Sequence, residues 1–108
     1  MTEWNGKVTV DSKEYKIEWE HERYDFEDPH LDIKANTFCY LHESFDCSQG
    51  SAWVSFGKGW ASCSWSDNFS RKVGRKLSLQ RALLNSDFTQ AQRKQVWDQV
   101  LSIKGLVK

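Results

Sequence analysis

From Tyr15 onward the chain alternates. Tyr15, Ile17 and Trp19 fall on one side, and Lys16, Glu18, Glu20 and Glu22 on the other. Successive strand side chains point to opposite faces, so a period of two with one charged face predicts a half-buried strand. Upstream, roughly Gly6 to Val10 also alternates, and Asp11-Ser12-Lys13 supplies turn chemistry, which predicts a hairpin. Tyr24–His30 holds the single Pro and several acids and reads as a loop. Weaker alternation follows (Leu31, Ile33, then Phe38 and Tyr40) and places a strand around Thr37–His42. Asp46, Ser48 and Gly50 predict a turn within Phe45–Ser51. Ala52–Phe56 and Trp60–Trp65 flank Gly57-Lys58-Gly59, the pattern of a hairpin with a Gly-rich loop.

After Trp65 the period changes from two to about 3.6. Ser66-Asp67-Asn68 offers helix N-cap chemistry. Phe69, Val73, Leu77 and Leu84 then recur on one helical face, predicting a helix over about 67–84 with those residues turned to the core. Gly74 inside it costs roughly 1 kcal/mol against Ala, which points to close packing there. Asn85-Ser86-Asp87 ends the helix. Thr89 and Gln92 form a capping box for a second helix over about 90–104. Its apolar positions are Val96, Trp97, Val100, Leu101 and Ile103, with Gly105 as the stop. The expectation is one α+β domain spanning 1–108. An antiparallel sheet of about four to five strands, over roughly 6–65, is followed by two C-terminal helices packed on one face.

A length of 108 residues fits one modest core. Six Trp, six Phe and three Tyr give that core, or a binding surface, large rings to work with. No apolar run approaches the roughly 20 residues of a membrane span. The first ten residues lack the basic-then-apolar pattern of a signal peptide. Three Cys, an odd number, fit a reducing cytosolic compartment. The net charge of zero hides a split. Residues 1–65 carry 12 acidic and 6 basic side chains, and residues 66–108 carry 3 acidic and 9 basic, so the halves stand at −6 and +6. Such asymmetry implies a charged partner, or two halves that face each other.

Several groupings are candidates for chemistry. On a wheel of the first helix Arg71, Lys72, Arg75 and Lys76 share one arc of about 140°, and Arg81 sits at the far edge of the apolar arc. The basic arc suits phosphates, with Arg81 and Lys94 as outlying contacts, an acidic protein surface, solvent, or the chain's own Glu18, Glu20 and Glu22. The acidic run from Glu14 to Asp32 has the composition of a nucleic-acid mimic or of a solvated strand face. Cys39, His42, Cys47 and Cys63 number four, as tetrahedral zinc requires. Their spacing matches no common zinc module, and Cys39 and His42 would lie on opposite faces of a regular strand. Gly57-Lys58-Gly59 lacks the phosphate-loop pattern. His21 and His30 read as surface residues. No nucleophile constellation or carboxylate pair stands out, so neither enzyme activity nor a cofactor or metal is expected.

One stretch carries a resemblance. Gly59, Ala61 and Cys63, followed by Asp67, Phe69, Ser70, Arg71, Lys72, Gly74, Arg75, Ser78, Leu79, Arg81, Ala82 and Leu83, form a GxAxC…DxFSRKxGRxx(A/S)LxRAL pattern. Arg93 and Trp97 extend it more loosely. The pattern resembles a family of small, mostly uncharacterised tailed-phage proteins and covers about a third of the chain. The resemblance implies a phage origin and residence in the host cytoplasm. Phage proteins of this size often redirect host proteins, including CRISPR effectors. The expected function is therefore a non-enzymatic binding protein that inhibits or modulates a host protein, as an anti-CRISPR or other anti-defence factor. Trp53, Trp60 and Trp65 would be its anchors, and Arg71, Lys72, Arg75 and Lys76 its electrostatic contacts. The alternative is a nucleic-acid-binding phage accessory protein, with the same cations on phosphates and sheet aromatics stacking on bases.

Overall fold

The computed structural model describes residues 2–23, 35–63 and 71–107. Four strands, β1 (Thr2–Val10), β2 (Lys13–Arg23), β3 (Ala35–Cys47) and β4 (Gly50–Cys63), precede two helices, α1 (Arg71–Leu84) and α2 (Gln90–Leu101). The strands form one antiparallel meander in the order β1-β2-β3-β4. The fold is α+β. Asp11 and Ser12 both take positive φ (51° and 67°), the backbone of a two-residue hairpin turn matched to strand twist. The predicted loop Tyr24–His30 and the predicted cap Ser66–Asn68 lie outside the described residues, as do Trp65 and Phe69.

Three expectations change. Gly57-Lys58-Gly59 is not a turn. It lies inside β4, with Gly57 opposite Leu41 and Gly59 opposite Cys39. The two predicted short strands are one, and the real turn sits at Ser48–Gln49. The register breaks between Leu41 and His42, where β4 carries one extra residue, Phe56. Phe56 packs with Tyr15 and Phe88, at ring-centroid separations of 5.6 and 5.3 Å, and Tyr15 and Phe88 lie 5.0 Å apart.

The second change is the buried face of α1. Val73 is 55% exposed and Leu84 61% exposed, so the stripe built on them is not the core face. The buried residues are Gly74, Arg75, Ser78, Leu79, Ala82 and Leu83. Gly74, Ser78 and Ala82 are small and recur every four residues, which lets the helix axis approach the sheet closely. A Cβ on Gly74 would fall 2.5 Å from Thr37 Oγ1. A Cβ on Gly59 would come within 3.0 Å of backbone atoms of Ser78, Arg81 and Ala82. Gly59 is thus a glycine because the α1 backbone nearly touches the strand there, and Gly74 because the Thr37 side chain fills the space a Cβ would take. Leu79 and Leu83 flank the small stripe and reach into the core. That core is built on Val8, Val10, Ile17, Trp19, Cys39 and Leu41 from the sheet, and on Val96 and Val100 from α2. Trp19 is fully buried, and its Nε1 donates to the Arg75 carbonyl at 3.1 Å and to Ser78 Oγ at 3.2 Å.

α2 has the predicted capping box, with Gln92 N donating to Thr89 Oγ1 and Thr89 N donating to Gln92 Oε1. It stops at Leu101 rather than Lys104. Leu101 and Ile103 are exposed, leaving Val96 and Val100 as its buried contacts.

Candidate functional site

Edge strands expose unpaired backbone groups, and here both helices cover them. Along β1, Gln99 accepts from the Thr9 amide at 2.8 Å and donates to the Thr9 carbonyl at 2.6 Å. Gln95 accepts from the Asp11 amide, and Gln92 and Gln95 both donate to the Asp11 carboxylate. Gln95 and Gln99 therefore stand in for a neighbouring strand, and Gln92 joins Gln95 in holding the Asp11 carboxylate. Along β4, Arg81 Nη1 donates to the Trp60 carbonyl at 2.7 Å and Asn85 Nδ2 to the Lys58 carbonyl at 3.1 Å. The helices thus occupy one face of the sheet and part of each edge.

Among the described residues no helix covers the other face. Ile17 and Trp19 point to α1, so Glu18, Glu20 and Glu22 point the opposite way. Register then sets the cross-strand neighbours. Glu18 lies beside Tyr40, which lies beside Lys58; Glu20 lies beside Phe38, which lies beside Trp60. Along β3, Phe38, Tyr40 and His42 form a stacked row with centroids 6.4 Å apart and interplanar angles of 19° and 27°. Lys58 Nζ lies 5.4 Å from the Phe38 ring centroid and 5.5 Å from that of Tyr40, a cation–π arrangement. Trp60, 52% exposed, ends one cross-strand row. Trp53, 36% exposed, lies with Lys7 Nζ 5.8 Å from its ring centroid. His42 Nε2 is 3.6 Å from Glu18 Oε1. The field on this face is acidic enough to be felt by the Tyr40 phenol. Partial burial first, then Glu20, Glu18 and Glu22, push its pKa up.

The expected contact residues therefore scatter. Trp53 and Trp60 share the open sheet face, and Trp65 lies outside the described residues. Arg71, Lys72 and Lys76 are exposed on α1, across the sheet from the carboxylates. Arg75 is not a surface cation. It is 8% exposed, and it donates from Nε to the Leu106 carbonyl and from Nη2 to that of Gly105 at 3.3 Å, fastening the C-terminal segment to α1. Among the described residues the basic helix and Glu18, Glu20 and Glu22 lie on opposite faces of the sheet, which does not bring the two charged groups together. The residues missed as a site are Phe38, Tyr40 and Lys58. Their signal was the even-numbered parity that Phe38 and Tyr40 share with Glu18 and Glu20, which acquires meaning only through the β2–β3 register.

The thiol of Cys39 is buried against the helices, and burial pushes its pKa up, which makes it inert. His42 lies on the opposite face from Cys39, and the side chains of Cys47 and Cys63 are outside the described residues. No group of three or more metal-binding side chains occurs among the described residues. His21 is half-buried rather than a surface residue, with Nδ1 2.7 Å from Thr37 Oγ1. A groove of about 320 Å³ lined by Gly59, Trp60, Arg81, Leu84 and Asn85 runs along the β4 edge. Among the described residues no helix is long and apolar enough to cross a membrane.

Much of the phage-like pattern maps onto packing. Gly59, Gly74, Ser78, Leu79, Ala82 and Leu83 seat α1 on the sheet, Arg75 holds the C-terminal segment, and Arg81 closes an edge. No protein-family model, curated protein or solved structure matches the chain.

Proposed function

We propose that this chain is a small phage-encoded binding protein that inhibits or modulates a host protein without catalysis. A defence complex such as a CRISPR effector is the kind of target in view, met in the host cytoplasm. The observation that carries the reading is the division of labour across the sheet. Both helices are used on one face and the edges, while the other face presents a row of rings between carboxylates and exposed tryptophans. Trp and Tyr are the residues that dominate protein interfaces. The resemblance at Trp60–Leu84 supports the phage origin. Because its residues act in packing, it speaks to the scaffold rather than to the target.

The nucleic-acid reading rests on Arg71, Lys72 and Lys76, exposed on α1. It has less support than the helical wheel suggested. Arg75 is engaged internally, and on the aromatic face that would stack bases Glu18, Glu20 and Glu22 offset Lys7, Lys16 and Lys58, which leaves no net positive field to attract phosphates. Affinity purification from host lysate, with and without nuclease, separates the two. The proposal expects a stoichiometric protein partner that survives nuclease and is lost with the F38A/Y40A/W60A variant. Recovery of that partner only while nucleic acid is intact would refute it, as would a nuclease-resistant partner indifferent to the triple variant.

A further inference from the structure

The open sheet face has a chemistry specific enough to name the class of its partner, an inference that rests on the docking reading above. Rings alone would accept any apolar surface, and carboxylates alone would be a solvated strand face. Here they interleave at strand spacing. Glu18 adjoins Tyr40 and Glu20 adjoins Phe38 across the β2–β3 ladder. A group that satisfies both must be cationic and able to lie flat on a ring. Arginine does both, because its planar guanidinium stacks on aromatic faces and also pairs with carboxylates.

The molecule already places one cation in this position. Lys58 Nζ lies within 5.5 Å of the ring centroids of both Phe38 and Tyr40. Lys58 comes from the edge strand on the far side of the rings from Glu18 and Glu20, and its own side chain is exposed. The ammonium therefore marks where positive charge is favoured. On the carboxylate side of the rings Glu18 already has His42 Nε2 at 3.6 Å, which an incoming guanidinium would share or displace. The same row runs on to Trp60, whose exposed ring offers a further stacking surface.

We propose that the open face binds an arginine-rich segment of a partner protein, with guanidinium groups stacked on Phe38, Tyr40 and Trp60 and paired to Glu18 and Glu20. Lys58 is the intramolecular competitor for that site, and it lowers the affinity for cations. Anionic partners, nucleic acid included, gain nothing where Glu18 and Glu20 adjoin the rings. A second copy of the chain, presenting Arg71, Lys72 and Lys76 to the face, is the main rival occupant.

The test uses the whole chain, ¹⁵N-labelled, titrated with a nonapeptide of alternating Arg and Gly. Its controls are the Glu–Gly counterpart and a deoxythymidine oligonucleotide. Expected are amide shifts centred on Glu18–Glu22, Phe38–His42 and Lys58–Trp60 that saturate with the Arg peptide and are absent with both controls. E18Q and E20Q should each weaken binding roughly two- to fivefold, the effect of a partly exposed ion pair. K58M should tighten it by a similar factor, and raised salt should weaken it by screening. The ligand-free amide spectrum of each variant, unchanged away from the substituted strands, serves as the folding control.

No saturable shift with the Arg peptide overturns the proposal, as does binding indifferent to E18Q, E20Q and K58M together. Shifts with the oligonucleotide at the same residues would also overturn it. Concentration-dependent dimers in size exclusion that E18Q/E20Q dissolves would assign the face to a second copy instead. If the peptide fails while F38A/Y40A/W60A still abolishes capture of the host partner, the cationic inference falls and the docking reading stands. If that triple variant leaves capture intact, the docking reading itself falls.

Discussion

Replacing Gly59 by Ala probes how helix and sheet meet. Gly59 faces α1 from the edge strand, opposite Cys39. A Cβ there would come within 3.0 Å of the Ala82 nitrogen, the Ser78 carbonyl oxygen and the Arg81 carbonyl carbon. All three are backbone atoms, so no rotamer change relieves them, and α1 has to lift by roughly 1 Å to regain van der Waals contact. Overpacking a well-filled core costs about 1–3 kcal/mol, and a backbone obstacle belongs at the upper end. Lifting the helix also stretches the 2.7 Å bond from Arg81 to the Trp60 carbonyl, worth about 1 kcal/mol net. Ala restricts the unfolded chain, which offsets at most about 1 kcal/mol. The expected destabilisation is about 3 kcal/mol, a large fraction of the 5–15 kcal/mol typical of a domain. Urea unfolding followed by tryptophan fluorescence reads this directly. With a slope of about 1–2 kcal/mol per molar, the midpoint should fall by about 2 M. S55A, an exposed site on the same strand, should shift stability by no more than about 0.5 kcal/mol. A G59A protein that unfolds at the same midpoint as S55A would refute the close approach.

Three further outcomes follow from named contacts. Arg75→Met removes the donors to the Leu106 and Gly105 carbonyls and should cost about 2–3 kcal/mol, with faster amide exchange at Leu106 and Val107; unchanged stability with a shallower salt slope in gel shifts would return Arg75 to a phosphate-binding role. The Asp11 carboxyl is held below its ordinary pKa by hydrogen bonds from Gln95 and then Gln92, so its contribution is present above the unfolded value of about 3.9 and is lost as pH falls through the lower folded value. The urea midpoints of the parent and D11N should accordingly differ at neutral pH and converge near pH 3, and an equal gap at both would refute this assignment. In a C47S/C63S background the one remaining thiol, Cys39, is buried and should resist Ellman's reagent until denaturant is added; rapid stoichiometric labelling of the folded protein would contradict its burial.

Local rules were enough for most of the elements. The alternation at Tyr15–Glu22 places Ile17 and Trp19 inward and the glutamates outward, because a strand side chain has only two directions to take. The Thr89–Gln92 box marks the start of α2 because its partners are three residues apart. Where sequence reading failed, the deciding contact lay far along the chain. Gly57 and Gly59 have the composition of a turn, yet they sit in a continuous strand because α1, some twenty residues later, packs against them. The face of α1 was misjudged for the same reason. Bulky Val73 and Leu84 look more like a core stripe than Gly74, Ser78 and Ala82, but a helix pressed onto a glycine-bearing strand buries its small residues. Arg75 looked like one of four surface cations until the C-terminal segment supplied carbonyls for it.

The sequence by itself determined the class of fold, the inward face of β2 and the separation of negative from positive charge, since these depend on neighbours a few residues apart. The tertiary structure alone decided that the two charged regions lie on opposite sides of the sheet, and that Phe38, Tyr40 and Lys58 stand beside Glu18 and Glu20. Strand register and helix approach distance set those relations, and both are fixed by packing between residues that no local pattern connects.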